Sequence, residues 1–180
     1  MSPRHIVVVC GNPRPGSRTL RAAVLLADSI AGGADVDAVD LAEHAAQLLQ
    51  WQGEAVLSLK RRVLAADALI VATPTYKGSF TGLIKQFLDQ FDRDELAGRL
   101  TIPLMTGGSP DHSLAVEHHL RPVLIEIGAS CPTRGVYLAG DQVDDPAEVL
   151  GRWQAESASV LRRHIGADWD VDSERQSRLD

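Results

Sequence analysis

His5 to Cys10 read HIVVVC, an apolar run that stops abruptly at Gly11-Asn12-Pro13-Arg14-Pro15-Gly16. So short and unbroken a run suits a strand buried on both faces, the situation of strands in a parallel sheet sandwiched between helices. A parallel neighbour requires a crossover, usually helical, and the rest of the chain supplies that alternation. Ser17 to Ala31 carries Leu20, Val24, Ala27 and Ala31 at helical spacing, and Asp35 to Leu41 alternates as a strand does. Glu54 to Ala66 is helical in pattern, with Val56, Leu59 and Val63 on one face, and Ala68 to Ala72 (ALIVA) is a second buried strand. Ser79 to Phe91 predicts a helix through Phe80, Leu83, Ile84, Phe87, Leu88 and Phe91. Leu100 to Met105 predicts a strand, Asp111 to Ile127 a helix, Arg134 to Leu138 a strand and Pro146 to His164 a last helix. Five strands and five helices in this order predict an α/β fold, a flavodoxin-like five-stranded parallel sheet of order 2-1-3-4-5 with helices on both faces.

The 180 residues suit one domain, expected over 1–165. Residues 166–180 are rich in acidic side chains and poor in apolar ones, and are expected to form a mobile tail. A net charge of −6 implies no basic face for nucleic acid. No apolar run is long enough to span a membrane, and the first one is too short for a secretory signal, so the cytoplasm is the expected compartment. Cys10 and Cys131 do not form a C-x-x-C pair; Cys10 is expected in the core and Cys131 at the start of the fifth strand.

Ligands of open α/β sheets bind beyond the carboxyl ends of the strands, near the reversal of strand order. After the first strand, Ser17 and Thr19 offer hydroxyls at a helix amino terminus, and Arg14 and Arg18 add guanidinium groups. That combination is an anion cradle. It is neither a P-loop nor a dinucleotide fingerprint, since Gly-Lys-Ser/Thr and G-x-G-x-x-G are both absent. After the third strand, Thr73-Pro74-Thr75-Tyr76-Lys77-Gly78-Ser79 presents an aromatic face, and after the fourth, Thr106-Gly107-Gly108-Ser109 presents bare backbone. Three such loops on one sheet edge suit a ligand with a phosphate and a flat ring. Asp40, at the end of the second strand, is expected to be solvated, and no metal site is expected from His112, His118 and His119.

Pro122 falls inside the helical pattern of 111–127, and its missing N–H deprives the His118 carbonyl of its partner. A kink or a π-bulge would absorb the defect.

Three segments together resemble one family. GNPRPGSRT resembles the phosphate loop G-S-x-R-x-x-S-x-[ST] of the NAD(P)H-dependent FMN reductases, with Asn12 where that family usually has Ser. ATPTYKGSFTGLIKQFLD resembles its flavin-ring loop. MTGGSPDHSLAVEHHLRPVL is similar to the reductase components of two-component alkanesulfonate and methanesulfinate monooxygenase systems. The resemblance runs over about residues 5–143. It implies FMN, with the phosphate on Arg14, Ser17, Arg18 and Thr19. It places the ring against Pro74, Thr75, Tyr76 and Lys77, with Thr106, Gly107 and Gly108 on the other side. NADPH or NADH would donate hydride from nicotinamide C4 to flavin N5, with no acid–base residue required. Lys77 and nearby N–H groups would stabilise charge on reduced flavin. The resemblance also implies a homo-oligomer, dimer or tetramer, a monooxygenase that receives the reduced flavin, and a π-helix near the tetramer interface with His118 at the matching position. The alternatives are a reductase of quinones, azo dyes or metal oxyanions with tightly held FMN, and a flavodoxin-like electron carrier. Two arginines in the phosphate loop and a net charge of only −6 argue against the carrier.

Overall fold

In a computed structural model of the chain, which describes residues 5–32 and 34–165, the first apolar run is a strand near the middle of the sheet. The strands are β1 (His5–Cys10), β2 (Asp35–Asp40), β3 (Ala68–Pro74), β4 (Leu100–Gly107) and β5 (Val136–Ala139). They pair in parallel, in the order β2-β1-β3-β4-β5. The helices are α1 (Arg18–Ala31), α2 (Glu54–Ala65), α3 (Gly82–Leu88), α4 (Arg121–Glu126) and α5 (Ala147–Ile165).

Successive strand residues point to opposite faces, so each apolar run feeds two cores. Val7, Val9, Leu69 and Val71 pack with Val56, Leu59, Ile84, Phe87 and Leu124 from α2, α3 and α4. Ile6, Val8, Ile70 and Ala72 pack with Leu26, Ile30, Leu150 and Trp153 from α1 and α5. Pro103 sits inside β4, where a proline is normally excluded. The Thr101 N–H donates away from β3, to the Ser130 carbonyl, so the position of Pro103 two residues on faces the same way. Pairing with β5 begins only at Leu104, and no ladder bond is lost.

Two helices differ from expectation. The amphipathic pattern of 79–91 continues through the chain, but α-helical bonding covers only Gly82–Leu88. Thr81 is extended and caps α3 by accepting the Ile84 N–H, which excludes Ser79 and Phe80. At the other end Gln90 and Phe91 donate three residues back, to Phe87 and Leu88, tightening the last turn. Phe91 still meets Phe87 edge to face at 5.3 Å, so the pattern recorded packing rather than helix length. The segment expected as one helix over 111–127 is a 3₁₀ turn (Pro110–His112), a π-helix (Val116–Leu120) and then α4. The Arg121 N–H donates five residues back to the Val116 carbonyl, immediately before the proline that lacks a donor. Cys131 lies in the loop ahead of β5, not in the strand. Residues 166–180 lie outside the described residues.

Candidate active site

The phosphate-type loop leaves β1 at Gly11, whose N–H extends the ladder to the Ala72 carbonyl. A side chain at Gly11 would place its Cβ 2.3 Å from Ile84 Cβ, so only glycine allows α3 to pack this close. Asn12 folds the loop on itself, its Oδ1 accepting the Arg14 N–H at 3.0 Å. Gly16 takes φ 61°, the left-handed region where a side chain is strained. Ser17 then caps α1, accepting the Leu20 N–H at 3.2 Å. A cap of this kind stabilises a helix by about 1 kcal/mol. The N–H groups of Arg18 and Thr19 remain without an intrahelical acceptor at the positive end of the α1 dipole.

The second loop is a two-residue reversal. Tyr76 and Ser79 exchange backbone bonds at 2.8 and 3.1 Å across Lys77 (φ 53°) and Gly78 (φ 78°). Positive φ at both central positions is the type I′ geometry. The Thr75 N–H donates to the Thr106 carbonyl, and the Thr81 hydroxyl donates to the Gly11 carbonyl at 2.5 Å. The three loops are thereby fastened to one another. Beneath them runs a buried polar chain: Asn12 donates to the Thr19 hydroxyl (3.2 Å), which lies 2.7 Å from the Thr106 hydroxyl. Whichever threonine donates in that pair, one O–H proton is left over. The Tyr137 hydroxyl secures the third loop by donating to the Ser109 carbonyl.

These loops enclose a cleft of about 530 Å³, within the usual range for small-molecule sites. Arg14, Ser17, Arg18, Thr19, Pro74, Thr75, Tyr76, Thr106, Gly107 and Gly108 line it. Lys77 does not; it stands exposed at the tip of the reversal. Arg18 reaches away to Asp144 in an exposed ion pair at 2.7 Å. The Arg14 guanidinium has no partner among the described residues. Thr75 Oγ1 is buried and also unpartnered. One end of the cleft thus offers a free cation and helix N–H groups, and the other a buried orphan hydroxyl beside the half-exposed Tyr76 ring.

Three features were not legible beforehand. The turn after β5 (Gly140–Val143) forms a fourth wall, with Gly140, Asp141 and Val143 on the cleft. Its place directly after the last strand was the available signal. His119, not His118, touches the second loop, its Nδ1 lying 2.8 Å from Ser79 Oγ, while His118 is exposed. Asp40, expected in solvent, is only 7% exposed and accepts the Gly16 N–H. Cys10 is buried beside the loop, and burial pushes its thiol up to about 11, so it stays protonated and unreactive near neutral pH.

Comparison with known proteins gives a consistent result. Residues 4–144 match the family model described as NADPH-dependent FMN reductase. The chain is 32% identical over 146 residues to FMN reductase (NADPH) of Escherichia coli (strain K12), covering 78% of this chain and 76% of that protein. It is 33% identical over 148 residues to NADH-dependent FMN reductase SfnF of Pseudomonas putida, covering 78% and 80%. Among solved structures, the apo form of an NADH:FMN oxidoreductase (EMOB) superposes with a TM-score of 0.78 at 29% identity, covering 98% and 99%. A parallel 2-1-3-4-5 sheet, a phosphate-type cradle at its carboxyl edge and this extent of similarity lead to one conclusion: the chain belongs to the NADPH-dependent FMN reductase family, and is an oxidoreductase that uses FMN and a reduced nicotinamide nucleotide.

Proposed function

We propose that FMN lies in the 530 Å³ cleft with its phosphate at the amino end of α1 and its ring against Pro74, Thr75 and Tyr76. The observation that carries this reading is the unpartnered Arg14 guanidinium beside the free N–H groups of α1. The donor set fits the group. A phosphate meets cation, dipole and N–H donors together, and the orphan Thr75 hydroxyl gains a polar ring edge to bond. FMN held there would supply the redox chemistry, hydride transfer between nicotinamide C4 and flavin N5. The protein's part is to orient the ring, through the rigid 75–79 reversal and the Thr106–Gly108 backbone, and to leave one ring face open beside Tyr76 for the nicotinamide. Lys77, exposed at the loop tip and outside the cleft, shapes the reversal through its backbone rather than meeting the ring.

In this reading the reduced flavin is released to a partner monooxygenase, and FMN enters and leaves as a substrate. The chain acts as a homo-oligomer, with the exposed His118 of the π-helix on the side where copies meet. Relatives are named for both NADPH and NADH, so both are to be assayed. Steady-state oxidation of each nucleotide with and without free FMN tests the proposal. Turnover that requires added FMN and saturates with it is expected. Turnover by protein with FMN retained through gel filtration, needing only a quinone or azo acceptor, would favour the alternative reductase.

A further inference from the structure

We infer that Asp40 is a positioning residue for the phosphate cradle, acting through Gly16; this rests on the reading that the FMN phosphate sits at the amino end of α1. Asp40 ends β2 opposite Cys10, the last residue of β1. It is 7% exposed, and both carboxylate oxygens are engaged by backbone. Oδ2 accepts the Gly16 N–H at 2.8 Å, and Oδ1 accepts the Ala42 N–H at 3.2 Å. No basic side chain pairs with it among the described residues. A carboxylate this buried without a counter-ion carries a desolvation cost that a solvated strand end would avoid.

What the carboxylate does is visible in the loop. Gly16 has a left-handed φ and open space around its Cα, so its conformation is not enforced by packing. Asp40 fixes it by drawing the Gly16 N–H toward the outer strand. Asn12 does the same for the Arg14 N–H. With these two amides occupied, the donors left for an anion are the Ser17 N–H, those of the first turn of α1 and the Arg14 guanidinium. Asp40 does not line the cleft, as a carboxylate that must not meet the phosphate directly should not. Its contribution is specific to the phosphate end of the ligand, because the bond it makes is to the phosphate loop and not to the ring loops.

Riboflavin, which has the ring and ribityl chain of FMN but no phosphate, isolates that end. The experiment is titration of the full chain with oxidised FMN and with riboflavin by fluorescence quenching, followed by steady-state kinetics. Asp40→Ala is expected to raise the FMN Kd and KM by about tenfold, as loss of a charge-assisted bond would. The riboflavin Kd should change less than about twofold and kcat at saturating FMN should hold. Asp40→Asn keeps one acceptor oxygen, so it should show the same selectivity with a smaller loss; it carries the comparison if the alanine variant does not fold. Asp37→Asn, on the same strand but outside the cleft, should alter neither ligand's affinity. Equal losses for FMN and riboflavin, or no loss for either, would overturn the role of Asp40. A wild-type chain that bound riboflavin as tightly as FMN would instead overturn the phosphate placement, and the inference with it.

Discussion

The two arginines of the phosphate loop are alike in sequence and unlike in place. Both line the cleft, but Arg18 is paired with Asp144, both side chains more than half exposed, whereas the Arg14 guanidinium has no partner among the described residues. An exposed pair contributes about 0–1 kcal/mol, while a charge-assisted bond to phosphate contributes roughly 1.5–3 kcal/mol. Arg14→Ala is therefore expected to weaken FMN binding by about tenfold or more, and Arg18→Ala by no more than about fivefold. Fluorescence titration of both variants decides it; equal losses would mean that Arg18 leaves Asp144 when the phosphate arrives. The identities of these residues were legible because guanidinium, hydroxyl and glycine types around a strand-to-helix turn have a chemical meaning. Asp40 was not, because its partner is a backbone N–H 24 residues earlier that no side-chain pattern reports. Thr19, expected at the phosphate, lines the cleft, and its hydroxyl is also tied into the chain between Asn12 and Thr106, a link that no side-chain pattern reports.

The π-helical element is held from outside as much as by its own bonds. Arg121 forks onto the Glu117 carboxylate and also donates to the Cys131 and Thr133 carbonyls, while Glu117 accepts the Gly135 N–H at 2.6 Å. The bond from Arg121, aided by the Gly135 N–H, holds the Glu117 carboxyl below the ordinary carboxylate range against the opposing effect of burial. The sign follows: a depressed folded-state pKa stabilises the fold above the unfolded value, about 4.3 for glutamate, and that stability disappears as pH falls through the folded value. Glu117→Gln is expected to cost about 1–2 kcal/mol in urea unfolding at pH 7, with the gap to wild type closing as the pH is lowered below 4. A gap independent of pH would mean that shape, not charge, matters there. Pro122 was the sequence signal for irregularity, since a missing donor is readable from the residue type alone. The choice between kink and π-helix was not, because it depends on loop 131–135 providing acceptors for Arg121 from across the fold. In the same way the strands were legible as buried runs, while the ends of α3 were set by the Thr81 cap and by turns that leave the apolar period intact.

At the scale of the whole molecule, the sheet is covered on both faces, yet one outer surface remains apolar. Leu114 is 64% exposed and Ile125 51% exposed, flanking the π-helix and on α4. Residues of α3 and α4, with Phe91 and Ile127 just beyond their ends, frame a second cleft floored by Leu88, Phe91, Val123 and Ile127. Lys85 and Arg93 stand on its rim with Asp89 and Glu126, and the Lys85–Asp89 and Arg93–Glu126 pairs close within the chain. An apolar centre with a rim of mixed charge suits a twofold interface, in which the same patch meets itself and each acid meets a base of the other copy. The occupant expected on this surface is therefore a second copy of the chain. Because the π-helix ties into the 75–79 loop through His119 and Ser79, pairing here would also steady one wall of the cleft proposed for FMN. Ile125→Glu places a charge at an exposed apolar position of α4, one of the two helices that frame the cleft, while leaving the folded monomer undisturbed, since the position is already exposed. Light scattering at micromolar concentration should give a multiple of the monomer mass for the wild type and a smaller species for Ile125→Glu. The variant should also hold FMN less tightly than the wild type at equal concentration. A monomeric wild type would sink the assembly, and a smaller species with unchanged FMN affinity would separate assembly from flavin handling.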